Sequence, residues 1–217
     1  PTLRLTNHHG LMIAGEAALS NWDAGMDMYI YGKLGNLTMT KEGINVLMTN
    51  LTGKVPPILQ RLDYIRFNGE AAGYLHDLTL TGLFHTGAGM VKTDVMMSID
   101  EQSMSRTYSG SVASADLDLG KLLNQEKKFG KVDFNVELKG FNYKNRYPES
   151  YIKGIISSFE YSQYQYENIM LDGVYKDGGF NGRLSMDDAN GSVQIDGNFN
   201  VAKTIPDFNL KASVKNL

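Results

Sequence analysis

The residues of this chain with the greatest capacity for chemistry are four histidines. Histidine binds metal ions or transfers protons, but a metal site needs several ligands that converge on one point. His8 and His9 stand together before a glycine, in a segment typical of a turn. His76 and His85 fall on opposite phases of one alternating segment, near its two ends. Because neither pair has ligand spacing, we expect no metal site.

The most conspicuous acidic residues are Asp187 and Asp188, in the segment Asp-Asp-Ala-Asn-Gly. A calcium loop needs alternating oxygen ligands and a distal glutamate, and this segment has neither. Asp, Asn and Gly are residue types that favour tight turns, so the segment predicts a hairpin turn.

No other residue pattern favours catalysis. The chain has no cysteine, and its serines and glycines form neither a nucleophile elbow nor a phosphate-binding loop. We therefore expect a protein that is not an enzyme and has no catalytic residue and no cofactor. The net charge is −3 and no run of Lys and Arg could follow a phosphate backbone, so we expect no nucleic-acid partner.

The densest aromatic cluster consists of Tyr161, Tyr164 and Tyr166, with Phe159 before them. Such a cluster can stack on sugars, lie at a membrane interface or pack across neighbouring strands. We predict the last of these, cross-strand packing near the end of a sheet.

Strict alternation of apolar and polar residues is the dominant pattern, and it is clearest from Lys131 to Gly140. Alternation of this kind predicts a half-buried strand with one wet face. Similar segments are Leu11 to Leu19, Asp27 to Gly32, Ile44 to Met48, Ile65 to Ala71, His76 to Phe84, Val91 to Ile99, Tyr108 to Leu117, Tyr151 to Ile156, Asn168 to Tyr175, Phe180 to Met186, Ser192 to Val201 and Phe208 to Val214. We therefore predict about thirteen strands that are joined by short loops in a meander.

Two segments break the alternation and favour short helices. Val55 to Leu62 contains two prolines near a helix start, followed by apolar residues on one side of a helical turn. Asp118 to Asn124 begins with a residue suited to an N-cap, and Gly130 is expected to close it. Each helix could close the open end of a curved sheet or cover an edge. We expect a single domain over residues 1–217, with a loose duplication of residues 1–109 and 110–217.

Six glycines stand in phase with the apolar side of alternating segments, where core side chains are expected. They are Gly82, Gly140, Gly154, Gly173, Gly182 and Gly197. Glycine inside a strand costs about 0.5–1 kcal/mol relative to alanine, so the repeated use indicates that small volume is useful there. Either neighbouring backbones approach closely, or the apolar face is hollowed for a long apolar ligand. Both cases predict an all-β fold: a curved, mostly antiparallel meander sheet, shaped as a trough or a flattened sandwich, with two short helices.

Seven short motifs stand in a fixed order along the chain. They are Ile58 to Leu62, Phe67 to Gly73, Gly110 to Val112, Asp116 to Leu123, Tyr166 to Gly173, Phe180 to Asp188 and Phe208 to Ala212. In this order and spacing they resemble the TamB-like branch of the AsmA superfamily, in the versions found in Bacteroidetes. Because the sequence begins at Pro1 rather than at a methionine, we expect an internal fragment of such a protein.

Members of that family are long periplasmic proteins that are anchored at the inner membrane and form a β trough with an apolar inside. They are implicated in moving phospholipid toward the outer membrane and in assembling outer-membrane proteins with a barrel partner. The resemblance implies a periplasmic location and phospholipid acyl chains as the ligand. It also implies an outer-membrane barrel assembly partner, contacted through other parts of the full chain, and it supplies no catalytic residue.

Two functional hypotheses follow. The first is a non-enzymatic module with an apolar groove that contributes to phospholipid transport between the membranes, to outer-membrane protein assembly, or to both. The expected groove residues are Val132, Phe134, Val136, Leu138, Ile152, Ile156, Ile169, Leu171, Phe180, Leu184, Val193, Ile195 and Phe199. The second is a structural β module that captures unfolded outer-membrane clients by adding their strands to its edge. Alternation alone does not distinguish an open groove from a packed sandwich core.

Overall fold

The described residues form one large antiparallel sheet of thirteen strands that is curved and does not close on itself, as a computed structural model shows. The structure describes residues 2–6, 10–21, 25–100, 102–103, 105–142, 149–189, 191–200 and 207–215. Each strand pairs with the strands next to it in sequence, so the sheet order is the chain order. The prediction of an all-β meander with a curved sheet is therefore confirmed.

The strands run along most of the chain, and in the part that the structure describes three short α-helices lie in two of the connections. The strands are β1 (Thr2–Thr6), β2 (Leu11–Ser20), β3 (Tyr29–Thr40), β4 (Tyr64–Tyr74), β5 (Asp77–Thr86), β6 (Gly89–Ile99), β7 (Arg106–Asp118), β8 (Phe129–Asn142), β9 (Glu149–Tyr161), β10 (Tyr164–Lys176), β11 (Gly179–Asp188), β12 (Gly191–Asn200) and β13 (Asp207–Lys215). The helices are α1 (Lys41–Thr52), α2 (Pro57–Gln60) and α3 (Leu119–Leu123), and a 3₁₀ turn spans Gly25–Asp27.

Helix α1 corrects the prediction of a strand from Ile44 to Met48. The Thr40 hydroxyl caps its first turn by accepting from the Gly43 amide at 3.4 Å, and the left-handed Gly53 ends it. Ile44 and Met48 stand four residues apart, so this short apolar run fits the helical period as well as the strand period. The cap residues at both ends favour the helix over the strand.

The other two helices confirm the two predicted helical segments. In α3, the Asp118 carboxylate accepts from the Lys121 amide at 2.8 Å, as expected of an N-cap. The helix ends at Asn124 in the left-handed conformation, and not at Gly130, which already lies in β8. Asparagine tolerates this conformation because its short polar side chain bonds locally, so it closes the helix six residues earlier than expected.

The three helices pack together over one end of the sheet. They lie in the β3–β4 and β7–β8 connections, which are at the same end, and they form the main buried core with the adjoining strand ends. The buried members of this core are Ile44, Leu62, Ile65, Ala88, Leu117, Leu122 and Val132. Two polar contacts join the connections: Arg61 donates to the Leu122 carbonyl, and the Lys121 ammonium pairs with Asp63 at 2.6 Å. We call this assembly the helical cap.

Burial at the helical cap predicts a difference between two isoleucines. Ile44 is 1% exposed and Ile58 is 47% exposed. We expect Ile44→Ala to lower the free energy of unfolding by about 2–4 kcal/mol, because it leaves a cavity among buried side chains. Ile58→Ala is the matched control and should change it by less than about 0.5 kcal/mol. Urea unfolding of the two variants measures the difference, and equal effects would contradict the placement of the cap.

Candidate apolar trough

The pairing registers sort the strand residues into two faces. Residues that lie directly opposite each other on antiparallel strands point to the same side of the sheet, so each register match extends a row across the strands. We call the face that carries Val136 the inner face and the face that carries Glu137 the outer face. The helical cap packs on the inner face, since its buried strand residues Ile65, Leu117 and Val132 belong to that side.

Four parallel rows cover the inner face beside the helical cap. The first contains Leu37, Phe67, Phe84, Val91, Ser114, Phe134, Ile156, Ile169, Met186, Val193 and Val214. The second contains Leu34, Gly69, Gly82, Thr93, Val112, Val136, Gly154, Leu171, Leu184, Ile195 and Ala212. The third contains Gly32, Ala71, Leu80, Val95, Gly110, Leu138, Ile152, Gly173, Gly182, Gly197 and Leu210. The fourth contains Ile30, Gly73, Leu78, Met97, Tyr108, Gly140, Ser150, Tyr175, Phe180, Phe199 and Phe208.

The structure thus brings all the predicted groove residues and all six predicted glycines to one face. Val132 lies at its helical-cap end, and the others belong to the four rows. Three of the glycines, Gly173, Gly182 and Gly197, are directly opposite one another on β10, β11 and β12. They form a side-chain-free strip across three strands of the third row.

Neighbouring backbones and aromatic rings take up much of the space beside the glycines. A Cβ atom on Gly154 would lie 2.6 Å from the Cα of Val136, so close backbone approach accounts for this glycine. A Cβ on Gly173 would lie 2.5 Å from the ring of Phe180, which covers it from the neighbouring strand. Phe67 covers Gly82 in the same way. Backbone and ring atoms therefore occupy the space beside these glycines, and the inner face is shallow at these points.

Three polar side chains on the inner face are satisfied within the protein, and a fourth, Thr93, is not. The Ser114 hydroxyl donates to the Val132 carbonyl at 3.0 Å and accepts from the Phe134 amide at 3.2 Å. The Tyr108 and Ser150 hydroxyls bond to each other. Within the described residues, Thr93 Oγ1 is the one buried side-chain polar atom without a partner. The inner face is consequently a largely apolar surface.

The inner face is open rather than packed shut. Among the predicted groove residues only Val132 and Ile169 are buried, and the others keep part of their surface exposed. The chain exposes 13950 Å² of surface, whereas a compact monomer of 24.1 kDa exposes about 10,000 Å². In a sandwich the two walls would bury each other's side chains. The burial therefore favours an open trough over a flattened sandwich.

The aromatic cluster packs across strands, as predicted. The ring of Phe159 lies 6.4 Å from that of Tyr166 on the facing strand, and the rings of Tyr164 and Tyr166 are 4.6 Å apart. Phe129 of β8 joins the cluster at 5.4 Å from Tyr161. The cluster stands at the same end of the sheet as the helical cap.

His76 and the acidic pair make structural contacts. His76 bonds through Nδ1 to the Met26 carbonyl at 2.9 Å, and His8 and His9 lie outside the described residues. Asp187 and Asp188 end β11 and lead into the hairpin to β12, which confirms the predicted turn. Within the part of the chain that the structure describes, no group of three or more His, Cys, Asp or Glu residues is placed to hold a metal ion.

The outer face carries a row of charges that alternate in sign across six consecutive strands. The members, directly opposite one another from β8 to β13, are Glu137, Lys153, Asp172, Arg183, Asp196 and Lys211. We call this row the charge ladder. Sequence analysis missed it because each strand contributes only one member, and the registers that align them are not visible in the sequence.

Hydrogen bonds and ion pairs hold the two aspartates of the charge ladder in the ionised form. The Tyr151 hydroxyl donates to Asp172 at 2.8 Å and, with Lys153 and Arg183 nearby, holds the pKa of Asp172 below its ordinary value. Gln194 and Arg183 both donate to Asp196 at 2.7 Å and lower its pKa. Opposite charges across strands favour this register over slipped ones.

No family model, no curated protein and no solved structure matches this chain. Within the described residues, no helix has the length and apolar character needed to cross a membrane. The fold and the inner face define the class of the protein: an all-β meander with an open, one-sided apolar trough.

Substitution by alanine is predicted to have opposite effects on stability at two inner-face glycines, because only one of them lies against a neighbouring backbone. Gly154→Ala places a methyl group against β8, and we expect it to lower the free energy of unfolding by about 1–3 kcal/mol. Gly32 is the matched control, because a Cβ there would meet nothing within 4 Å. Gly32→Ala should leave stability unchanged or raise it by about 0.4–1 kcal/mol. Urea unfolding distinguishes the two, and a loss at Gly32 as large as that at Gly154 would contradict the geometry.

The charge ladder predicts a loss of stability in acid. Because the pKa values of Asp172 and Asp196 are lower in the folded state, their contribution is complete above the unfolded-state pKa and is lost as the pH falls below about 4. We expect the double variant Asp172→Asn, Asp196→Asn to be less stable at pH 7 and to lose less stability between pH 5 and pH 2.

The measurement is the unfolding midpoint in urea at a series of pH values. Glu126→Gln is the matched control, since it removes one carboxylate from an exposed turn outside the ladder. A double variant with the same acid loss as the unaltered protein would show that these aspartates do not contribute.

Proposed function

We propose that this chain is a non-enzymatic module that holds phospholipid acyl chains in its trough and thereby contributes to phospholipid transport between inner and outer membranes. The observation that carries the proposal is the inner face itself. Apolar side chains and glycines predominate in all four of its rows, the hydroxyls of Ser114, Tyr108 and Ser150 are bonded within the protein, and most of it stays partly exposed. An exposed apolar surface of this extent is typical of a surface that binds a lipid or another apolar partner.

The dimensions of the trough suit a long flexible chain. Strands stand about 4.8 Å apart, so the trough from β3 to β13 is about 50 Å long, and its four rows are about 20 Å wide. Each buried CH₂ group contributes about 0.8 kcal/mol, and a chain of about sixteen carbons would gain on the order of 10 kcal/mol before ordering costs. In an open trough one side of the acyl chain stays in water, so this gain is an upper bound for a chain bound without a lid.

The strip at Gly182 and Gly197 is the most suitable course for an acyl chain. On one side stand the rings of Phe180 and Phe199, whose centroids are 5.7 Å apart. On the other side stand Leu184 and Ile195 of the second row. A chain that runs across the strands along this strip would contact apolar side chains on both sides and backbone below.

The resemblance to TamB-like proteins supports the setting of this proposal. It favours the periplasm, a full-length chain anchored at the inner membrane, and a contribution to outer-membrane protein assembly. A barrel assembly partner would bind other parts of the full chain. The binding of acyl chains is argued from the trough residues and not from the resemblance.

The proposal predicts lipid crosslinks from one face only. A photo-crosslinking amino acid at Ile195 faces the trough, and one at the adjacent Gln194 faces outward and is the matched control. After irradiation in cells and purification, we expect phospholipid adducts at position 195 several times more often than at position 194, detected by mass spectrometry. Equal adducts at both positions, or no adduct together with no co-purifying lipid, would refute acyl-chain binding.

A further inference from the structure

The strands carry almost no charge on the inner face. Among the described strand residues, the registers place only two charged side chains on that side, Asp188 and Arg106. Asp188 stands at the helical-cap end and accepts from the Tyr164 hydroxyl at 3.0 Å. Arg106 begins β7 at the opposite end of the sheet, which we call the far rim. One cation therefore stands at the border of an otherwise apolar surface.

Arg106 has a second polar side chain beside it on the inner face. Asn142 of β8 lies directly opposite it in the register. Neither side chain makes a hydrogen bond or an ion pair with a described residue. Opposite residues on antiparallel strands have Cβ atoms about 4.5–5.5 Å apart, so a guanidinium and a carboxamide placed in this way can reach the same ligand atom group.

The described carboxylate of the β6–β7 hairpin is already engaged elsewhere. Ser103 donates to Asp100 through its backbone amide and its hydroxyl, both at 2.7 Å. These bonds hold the pKa of Asp100 below its ordinary value. Arg106 is exposed and has no counter-ion among the described residues, so an anion on a ligand would supply the missing partner.

An apolar path leads from Arg106 into the trough. Tyr108 is the next inner residue of β7, and its hydroxyl is bonded to Ser150 while its ring lies against Gly140. Gly110 follows on the same side and belongs to the third row, which contains the glycine strip. Arg106 and Gly110 are about 13 Å apart along the strand. A ligand with its anion at Arg106 would therefore have its apolar part in the trough.

We propose that Arg106 and Asn142 bind the phosphate of a phospholipid whose acyl chains lie in the trough. This inference rests on the proposed acyl-chain function and adds the polar end of the ligand. The guanidinium presents a planar fork of donors that matches two phosphate oxygens, and the Asn142 amide adds a further donor. The head group then stands at the far rim, and the acyl chains extend from it toward the helical cap.

The test compares two lipids that differ only in the head group. Dioctanoyl phosphatidylglycerol and dioctanoylglycerol carry the same acyl chains, and each is titrated by its displacement of the uncharged dye Nile red. We expect the unaltered protein to bind the phospholipid about tenfold more tightly than the diacylglycerol. Arg106→Gln should remove this advantage and leave the affinity for dioctanoylglycerol unchanged. Asn142→Ala should reduce the advantage by about threefold.

Two controls separate a charge effect from a structural one. Lys139→Gln removes a cation from the neighbouring strand at the same end of the sheet but on the outer face, and it should keep the full advantage. Urea unfolding should give the same midpoint for Arg106→Gln and the unaltered protein, because Arg106 is exposed. At an ionic strength of about 1 M the advantage should shrink, which apolar packing of the arginine stem would not cause.

Three results would overturn the proposal. Equal affinity of the unaltered protein for both lipids, or an advantage that survives Arg106→Gln, would refute the head-group site and leave acyl-chain binding intact. Inorganic phosphate that abolished the advantage at concentrations comparable to those of the phospholipid would assign the site to a free anion. Displacement of the dye by neither lipid would refute the acyl-chain function and the head-group site together.

Discussion

Hydrogen bonding between strands that follow each other in the chain is the constraint on which the rest of this structure depends. Because every strand pairs with its sequence neighbours, one unbroken set of registers extends from β1 to β13. The side-chain period of two then assigns every apolar position to one face. A slip of a single residue in one pair would turn the apolar side chains of all strands beyond that pair to the opposite face. The same registers therefore align the trough residues on the inner face and the charge ladder on the outer face.

The open shape follows from where apolar burial is concentrated. The helical cap buries its side chains over one end of the inner face, and this is where Ile44, Leu122 and Val132 are found. Farther from the cap, aromatic rings lie over glycines instead of meeting an opposite wall, as Phe67 does over Gly82. The sheet therefore has one packed end and a long apolar surface that stays partly exposed, so its buried core and its exposed apolar side chains lie in different parts of the sheet.

Alternation along the sequence was sufficient to predict the fold class, and the lining residues reached one face because alternation encodes that face directly. The predicted and observed numbers of strands agree partly because two differences cancel. Ile44 to Met48 lies in a helix and not in a strand, and Thr2–Thr6 forms a strand that was not predicted. That helix was missed because its short apolar run fits both periods and only its caps decide. The charge ladder could not be predicted, because Lys153 and Asp172 become neighbours only through a register.

The strictly sequential strand order has a consequence for how the chain folds. Outside the two helix-bearing connections, most new strands close only a short loop onto the strand made just before them, so the entropy lost per step stays small. Such a protein avoids the distant pairings that slow most all-β folds. It can assemble strand by strand from one end to the other, and only the two helix-bearing connections must be brought together across intervening strands.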